Sequence, residues 1–235
     1  MAYRKKRKTC LTIVAEHNGF VMNKVFKDTV NVIVLGKSGK MASCVASGLS
    51  QAGWHVQSVA ANAFEPFELI SAICDPGPRK PVVVDFTQPQ MISKMMPVLL
   101  EYHVDLISGV SGGGNAYLEA LAIVAEKNSV VYGSNFSQGF IQLFRFIRSV
   151  PDKDQHIWDT AILDIHHAAK ADAPSGTAIK LAERLGLEPN NPNSVASLRL
   201  GSGVSEHEVL FSNGSETIRI THRINDRKSF IPVIE

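Results

Sequence analysis

Cysteine is scarce: the 235 residues contain three, Cys10, Cys44 and Cys74. An odd count without metal-type spacing excludes a disulfide framework and a cysteine metal centre, and fits inert thiols in a reducing compartment. Long apolar runs are also lacking. The longest fall far short of the ~20 residues that cross a membrane, so no membrane partner is expected. The net charge is small, +2, but uneven: residues 1–29 hold seven of the 24 Lys/Arg and two of the 22 Asp/Glu, a net of +5 that leaves the remainder at −3. A basic tail on a mildly acidic body is not the footprint of a nucleic-acid binder. What is present in quantity is apolar: a 45% hydrophobic share suits an ordinary globular core, in one large domain or two small ones.

Residues 1–29 match nothing that follows. Arg4–Lys8 is a short basic run before the weakly apolar Leu11–Ala15, without the long apolar core of a secretory peptide. The segment reads as a disordered or artefactual tail, with Met22 as a later start or a plastid or other address as the alternatives. The chain is otherwise expected in the cytoplasm.

From residue 30 the pattern sharpens. Val30–Leu35 is a buried strand, Gly36-Lys37-Ser38-Gly39-Lys40-Met41 a glycine turn, and Ala42 to about Ala52 a small-residue helix. Strand, glycine turn and helix open a dinucleotide fold. Gly36 permits the tight turn, Gly39 lets a pyrophosphate approach the helix N-terminus, and Lys40 can add a point charge. A second strand, His55–Ala60, ends in Ala61, Asn62 and Ala63, where an acid would bind an adenosine ribose. A neutral end does not repel a 2′-phosphate, which favours NADPH over NADH without deciding between them. Strands at Val82–Phe86, Leu106–Val110 and Val130–Tyr132 alternate with helical stretches. That alternation predicts a parallel, doubly wound sheet.

The style then changes. Phe140, Leu143, Phe144 and Ile147 share one face of a helix over Gly139–Ser149, and Trp158–Ile165 is a strand. Three further strands, Ser194–Arg199, His207–Ser212 and Glu216–His222, include an Asn213-Gly214 hairpin turn. They predict a second, largely antiparallel layer.

Between these elements lies the most chemically loaded stretch, His166-His167-Ala168-Ala169-Lys170-Ala171-Asp172-Ala173-Pro174-Ser175-Gly176-Thr177-Ala178. Pro174 suits the first turn of a helix, and Asp172 or Ser175 can cap it. Ala178, Ile179, Leu181, Ala182 and Leu185 then follow at helical spacing. A helix start with Ser175, Gly176 and Thr177 offers bare N–H groups and the positive dipole end to a carboxylate. His166, His167 and Lys170 would act beside it. A satisfied surface turn is the plainer reading, but this many site-like residues beside one anion-binding helix start favour a site.

Asp164-x-His166-His167-x-x-Lys170-x-Asp172-Ala173-Pro174-Ser175-Gly176-Thr177-Ala178 resembles the active-site motif of the dihydrodipicolinate reductases, with Asp164 where that family usually has Glu. Asp85-Phe86-Thr87-x-Pro89 and Ser134-Asn135-Phe136-Ser137 are similar to the family's Asp-Phe-Thr-x-Pro and Ala-Asn-Phe-Ser. Gly109-Val110-Ser111-Gly112 stands where the family has Gly-Thr-Thr-Gly, Ala42 where it usually has Gly, and Ser205 likewise. Arg199-x-Gly201, His207 and Ile220-Thr221-His222 also match. The resemblance covers about residues 30–230. It does not reach the glycine-alanine-rich helix and closing strand that follow, in the family, the arginine matched by Arg227.

The resemblance implies an α/β chain: a tail over residues 1–29, a Rossmann-like dinucleotide-binding domain over 30–137, an α+β substrate and oligomerisation domain over 138–223, and a short return segment over 224–235. It implies reduction of 4-hydroxy-tetrahydrodipicolinate to tetrahydrodipicolinate by NADPH or NADH, in lysine and diaminopimelate biosynthesis, by a homotetramer that needs no metal. His166 and Lys170 take the family's acid and proton-donor positions. His167, Lys170, Ser175, Gly176 and Thr177 would hold the dicarboxylate. Gly36, Lys37, Ser38, Gly39, Lys40, Met41, Phe86, Thr87, Gly109, Val110, Ser111, Gly133, Ser134, Asn135, Phe136 and Arg227 would hold the dinucleotide. Two other readings stay open: a related NADP-dependent imine or amino-acid dehydrogenase, and a non-enzymatic dinucleotide-binding scaffold.

Overall fold

The computed structural model describes residues 11–13, 27–61, 65–75, 79–133, 135–149, 158–203 and 205–234. The chain divides into two compact units, residues 1–133 and residues 134–234. Among the described residues no helix is long and apolar enough to cross a membrane.

The first unit is a parallel sheet with crossover helices. Its strands are β1 (Leu11–Ile13), β2 (Val30–Leu35), β3 (His55–Val59), β4 (Lys80–Asp85), β5 (Asp105–Ser108) and β6 (Val130–Tyr132), in the spatial order β1-β6-β5-β4-β2-β3. The helices α1 (Lys40–Gln51), α2 (Pro66–Cys74), α3 (Met91–Tyr102) and α4 (Gly114–Ala125) connect β2 through β6. Parallel strands need such crossovers, and both sheet faces are then covered. Ile33, Leu35, Val83 and Leu106 form one core with Leu69, Met95 and Leu121 of the helices, and Val32, Val34 and Val84, on the alternate face, are buried as well. Strand β2 has β3 on one side and β4 on the other. Chain order therefore reverses beside it, and the loop after β2 stands at the switch point where such sheets take ligands. The alternating pattern predicted this sheet. The tail reading needs one correction: Leu11–Ile13 lies parallel to Val130–Tyr132 as an edge strand, because a parallel sheet edge offers unpaired backbone groups to any extended segment. The rest of the tail is outside the described residues.

The second unit contains α5 (Gln138–Arg148), β7 (Asp159–His166), α6 (Gly176–Arg184), β8 (Val195–Arg199), β9 (Ser205–Ser212), β10 (Thr217–Ile224), a short 3-10 helix over Arg227–Phe230, and α7 (Ile231–Ile234). The sheet order is β10-β9-β7-β8, with β8 parallel to β7 and the other pairs antiparallel. Ser137 caps α5, whose Phe140, Leu143, Phe144 and Ile147 are all buried. The β9–β10 hairpin falls at Asn213-Gly214, but its loop is the four residues between the paired Ser212 and Thr217. Asn213 explains the longer turn: its side-chain oxygen accepts from the N–H groups of Ser215 and Glu216 at 3.1 Å each.

Candidate active site

The site is built within the second unit, across its sheet. Register places Ser197, Asp164, His207 and His222 in one row over four strands, and His166 opposite Arg199 two residues further along β7 and β8. Residues two apart on a strand share a face, so all six belong to one polar surface. Much of it is sealed: Asp164 is 0% exposed, His207 1% and Ser175 2%.

Asp164 is the hub. Its Oδ1 accepts from Ser175 Oγ at 2.8 Å and lies 2.9 Å from His166 Nδ1 and 3.4 Å from His207 Nε2. The His166 contact is close but not well aligned as a hydrogen bond, so it acts chiefly through charge. Oδ2 accepts from the Ser175 N–H at 3.0 Å, Ser197 Oγ at 3.1 Å and Arg199 Nη2 at 3.0 Å. Burial opposes ionisation of Asp164, but the close approach of the His166 and His207 imidazoles and the bonds from both donors of Ser175 outweigh it and hold the carboxyl well below its usual range. Burial pushes His207 down, against the pull of Asp164. Asp164, His166 and His207 bring potential ligand atoms within 4.8 Å of one another. The guanidinium of Arg199 already faces this carboxylate and opposes a cation, so the cluster reads as a hydrogen-bond network.

Helix α6 begins here. Ser175, not Asp172, is the cap, and its Oγ accepts from the Ala178 N–H at 3.2 Å. Pro174 precedes the cap and is not part of the first turn. With its hydroxyl donating to Asp164 and accepting from Ala178, Ser175 frames the site. Thr177, 5% exposed, is likewise turned inward, where its Oγ1 accepts from Asn135 at 3.4 Å. The N–H groups of Gly176 and Thr177 stand at this positive dipole end, where intrahelical partners are lacking. Lys170 stands beside them on the loop, its Nζ 2.6 Å from Asp172 Oδ1. His167 is half-buried on the same loop.

His222 extends the polar row. Its Nε2 lies 3.0 Å from Ser137 Oγ, and a Cβ on Gly139 would fall 2.8 Å from the imidazole ring, so glycine is what lets the ring seat against α5. Burial first, and the nearby His207 second, push His222 from its ordinary 6.5 to about 4. The folded state thus holds His222 neutral while the unfolded chain protonates it. The resulting stability is complete above pH ~6.5 and is lost as pH falls toward 4. The ring is only partly buried, so the loss is discounted for solvent screening to ~1–2 kcal/mol. His222→Gln should flatten that decline, as read by denaturant unfolding at pH 7 and pH 4.5; an unchanged slope would show that His222 does not titrate there.

The first unit carries a separate cleft of about 360 Å³, lined by Gly36, Ser38, Gly39, Ala61, Phe86 and Thr87 together with Gln88, Gln90, Met91 and Lys94. Gly36 has φ +95°, a left-handed conformation open to glycine. A Cβ on Gly39 would stand 3.2 Å from the Gly36 carbonyl oxygen. No side chain caps α1, so its first N–H groups are bare. A Cβ on Gly109 would fall 2.0 Å from the Phe86 ring, and this requirement joins two of the sequence motifs at one sheet edge. Bare helix donors beside a glycine cradle in a cleft of this size fit a dinucleotide.

The predicted cofactor residues do not all meet there. Lys37, Lys40 and Ser111 are exposed and Met41 is half-buried, all outside the lining. Gly133 is buried outside it, its N–H donating to the Ser108 carbonyl at 3.0 Å. Val110 is 1% exposed in the core, so only its backbone is left for a ligand. Asn135, Phe136 and Arg227 belong to the second unit; Phe136 is 1% exposed there, and Asn135 is engaged with Thr177 and Ser137. Ser134 is outside the described residues. Conversely, the cleft brings in Ala61, Gln88, Gln90, Met91 and Lys94, which the sequence did not single out as cofactor residues.

Comparison with known proteins agrees with this division. The model for the N-terminal part of dihydrodipicolinate reductase matches residues 30–136, and that for its C-terminal part matches residues 139–232. Curated proteins named 4-hydroxy-tetrahydrodipicolinate reductase from Neisseria gonorrhoeae and Thermosipho africanus are 31% and 37% identical over 63% of this chain. These matches span 63% and 66% of those proteins' own lengths, less than two thirds. One from Rickettsia bellii is 28% identical over 86% of this chain and 84% of its own. A dipicolinate-bound dihydrodipicolinate reductase from Paenisporosarcina sp. TG-14 shares the fold, with a TM-score of 0.58 at 20% identity over 88% of this chain and 92% of its own. Two family models covering nearly all of residues 30–232, on a fold and a motif that agree with them, place the chain in the dihydrodipicolinate reductase family.

Proposed function

We propose that this chain reduces 4-hydroxy-tetrahydrodipicolinate to tetrahydrodipicolinate with a nicotinamide dinucleotide, in lysine and diaminopimelate formation. The observation that carries the proposal is the convergence on α6: His166 held by Asp164, Lys170 on the adjoining loop, and the Gly176 and Thr177 N–H groups beside them. The net reaction takes one hydride and one proton into the ring and releases the 4-hydroxyl as water. The dinucleotide supplies the hydride. Loss of the 4-hydroxyl with a proton from the neighbouring ring carbon, as water, leaves a conjugated C=C–C=N unit. Hydride addition at its terminal carbon pushes negative charge onto the ring nitrogen and onto the carbon next to the imine carbon, which takes the proton. His166 faces Asp164 through Nδ1, which leaves Nε2 to exchange a proton with the ring. Lys170 donates from Nζ and, with His167 and the α6 N–H groups, holds the two carboxylates. Purified chain supplied with substrate made in situ should oxidise NADPH at a rate that follows the substrate. Dinucleotide binding without any such turnover would leave the scaffold reading standing.

The preferred cofactor in this proposal is NADPH. Ala61 presents no acid to a 2′-phosphate, and Lys94, exposed in the first turn of α3, lines the same cleft. One charge-assisted contact is worth enough that Lys94→Ala should raise the KM for NADPH roughly 10-fold and leave that for NADH within about twofold. Equal changes for both would remove Lys94 from this role. Assembly as a homotetramer in the cytoplasm belongs to the same proposal. Leu198 on β8, Leu200 just after it and Ile218 on β10, which are 46%, 56% and 48% exposed at the two edges of the second sheet, supply apolar surface for it.

A further inference from the structure

We infer that Arg199 is a positioning residue for this reaction, a single side chain that keeps His166 and Lys170 in one frame. The inference rests on the reductase reading above. Arg199 ends β8 directly opposite His166 in the sheet. Its Nη2 donates to Asp164 Oδ2 at 3.0 Å and to the Asp172 carbonyl at 2.7 Å, and its Nη1 donates to the Asp164 carbonyl at 3.2 Å and the Leu198 carbonyl at 2.8 Å. Asp164 faces His166 Nδ1 at 2.9 Å, and Asp172 holds Lys170 Nζ at 2.6 Å. One guanidinium therefore ties the strand that carries the imidazole to the loop that carries the ammonium.

The geometry calls for arginine. The four acceptors lie around the two terminal nitrogens of a planar fork, and Nε has no hydrogen-bond partner among the described residues. An ammonium is a point donor on a flexible stem and cannot span the same set. Arg199 also has a consequence for the proton. An ionised, immobile Asp164 keeps the His166 proton on Nδ1 and leaves Nε2 for exchange. Without the guanidinium the carboxylate is freer to turn, and both ring tautomers become populated. Displacement of a catalytic group by about 1 Å costs up to ~10²-fold in rate.

The test uses the full chain with Arg199→Ala, Arg199→Lys and, as control, Arg219→Ala, which removes an exposed arginine of the same sheet and leaves the Asp164 network whole. Arg199→Ala should lose roughly 30-fold or more in kcat with the dinucleotide KM unchanged. Added guanidinium should restore part of that loss, where sodium chloride at equal ionic strength does not. Arg199→Lys should recover little, and Arg219→Ala should stay within about threefold of the parent, below the ~10-fold of a lost charged contact. Nitrogen NMR of the histidines gives a second readout that needs no turnover: His166 protonated at Nδ1 in the parent, a mixture in Arg199→Ala. The inference is overturned by an Arg199→Ala chain that keeps the parent's kcat, by full function in Arg199→Lys, by an equal loss in Arg219→Ala, or by an unchanged His166 tautomer. A parent chain without turnover fails the reductase reading instead, and the tautomer result then decides the Arg199 frame alone. The tautomer in Arg199→Lys against that in Arg219→Ala serves if Arg199→Ala does not fold.

Discussion

Asp164→Ala lowers the unfolding free energy of the C-terminal unit by ~3–5 kcal/mol. The magnitude follows from what is left behind. Asp164 is 0% exposed and is approached by Ser175, Ser197, Arg199, His166 and His207. Its removal strands a guanidinium that is 16% exposed and leaves several inward-facing donors without an acceptor. A buried pair broken from one side costs far more than the pair contributes when whole. The two tryptophans make the measurement clean. Trp54 belongs to the first unit and Trp158 to the second, so a Trp54→Phe chain reports unfolding of the second unit through Trp158. A change below about 1 kcal/mol, the size expected of an exposed ion pair, would mean that solvent reaches this carboxylate.

Lys170→Ala reduces kcat by ~10²-fold or more and leaves dinucleotide affinity nearly unchanged. Lys170 is held on the loop before α6, in the second unit, by Asp172. The dinucleotide cleft is lined by residues of the first unit alone. The alanine removes both a proton source and a carboxylate partner, so the substrate KM should rise as kcat falls. Calorimetry with NADPH alone separates the two units' contributions. Equal losses in turnover and dinucleotide affinity would show that Lys170 serves the cofactor and not the proton transfer.

Much of this was legible in the chain. Apolar runs of strand length alternating with helical periods specify a parallel sheet, and a glycine turn after β2 marks its ligand edge. Thirteen consecutive residues from His166 to Ala178 place imidazoles, a lysine and a helix start together whatever the tertiary fold. Register was not legible. Alternation says that His207 and Asp164 each face one side of a strand, but not that they stand opposite each other with His222 beyond. Hence the role of Arg199 and the buried part played by Ser175 emerge only from the folded sheet. Lys94 escaped for a similar reason: it sits far along the chain from the glycine turn and reaches the cleft only because α3 follows β4 at the same edge. Val110 shows the converse, since a motif position gives no sign that its side chain points into the core.

The most direct test of the central claim follows the hydride itself. NADPH carrying deuterium at C4 of the nicotinamide, incubated with the chain and 4-hydroxy-tetrahydrodipicolinate, should yield tetrahydrodipicolinate heavier by one mass unit, from one of the two labelled faces only. Oxidation of the dinucleotide without label in the product, or no substrate-dependent oxidation at all, would contradict the account.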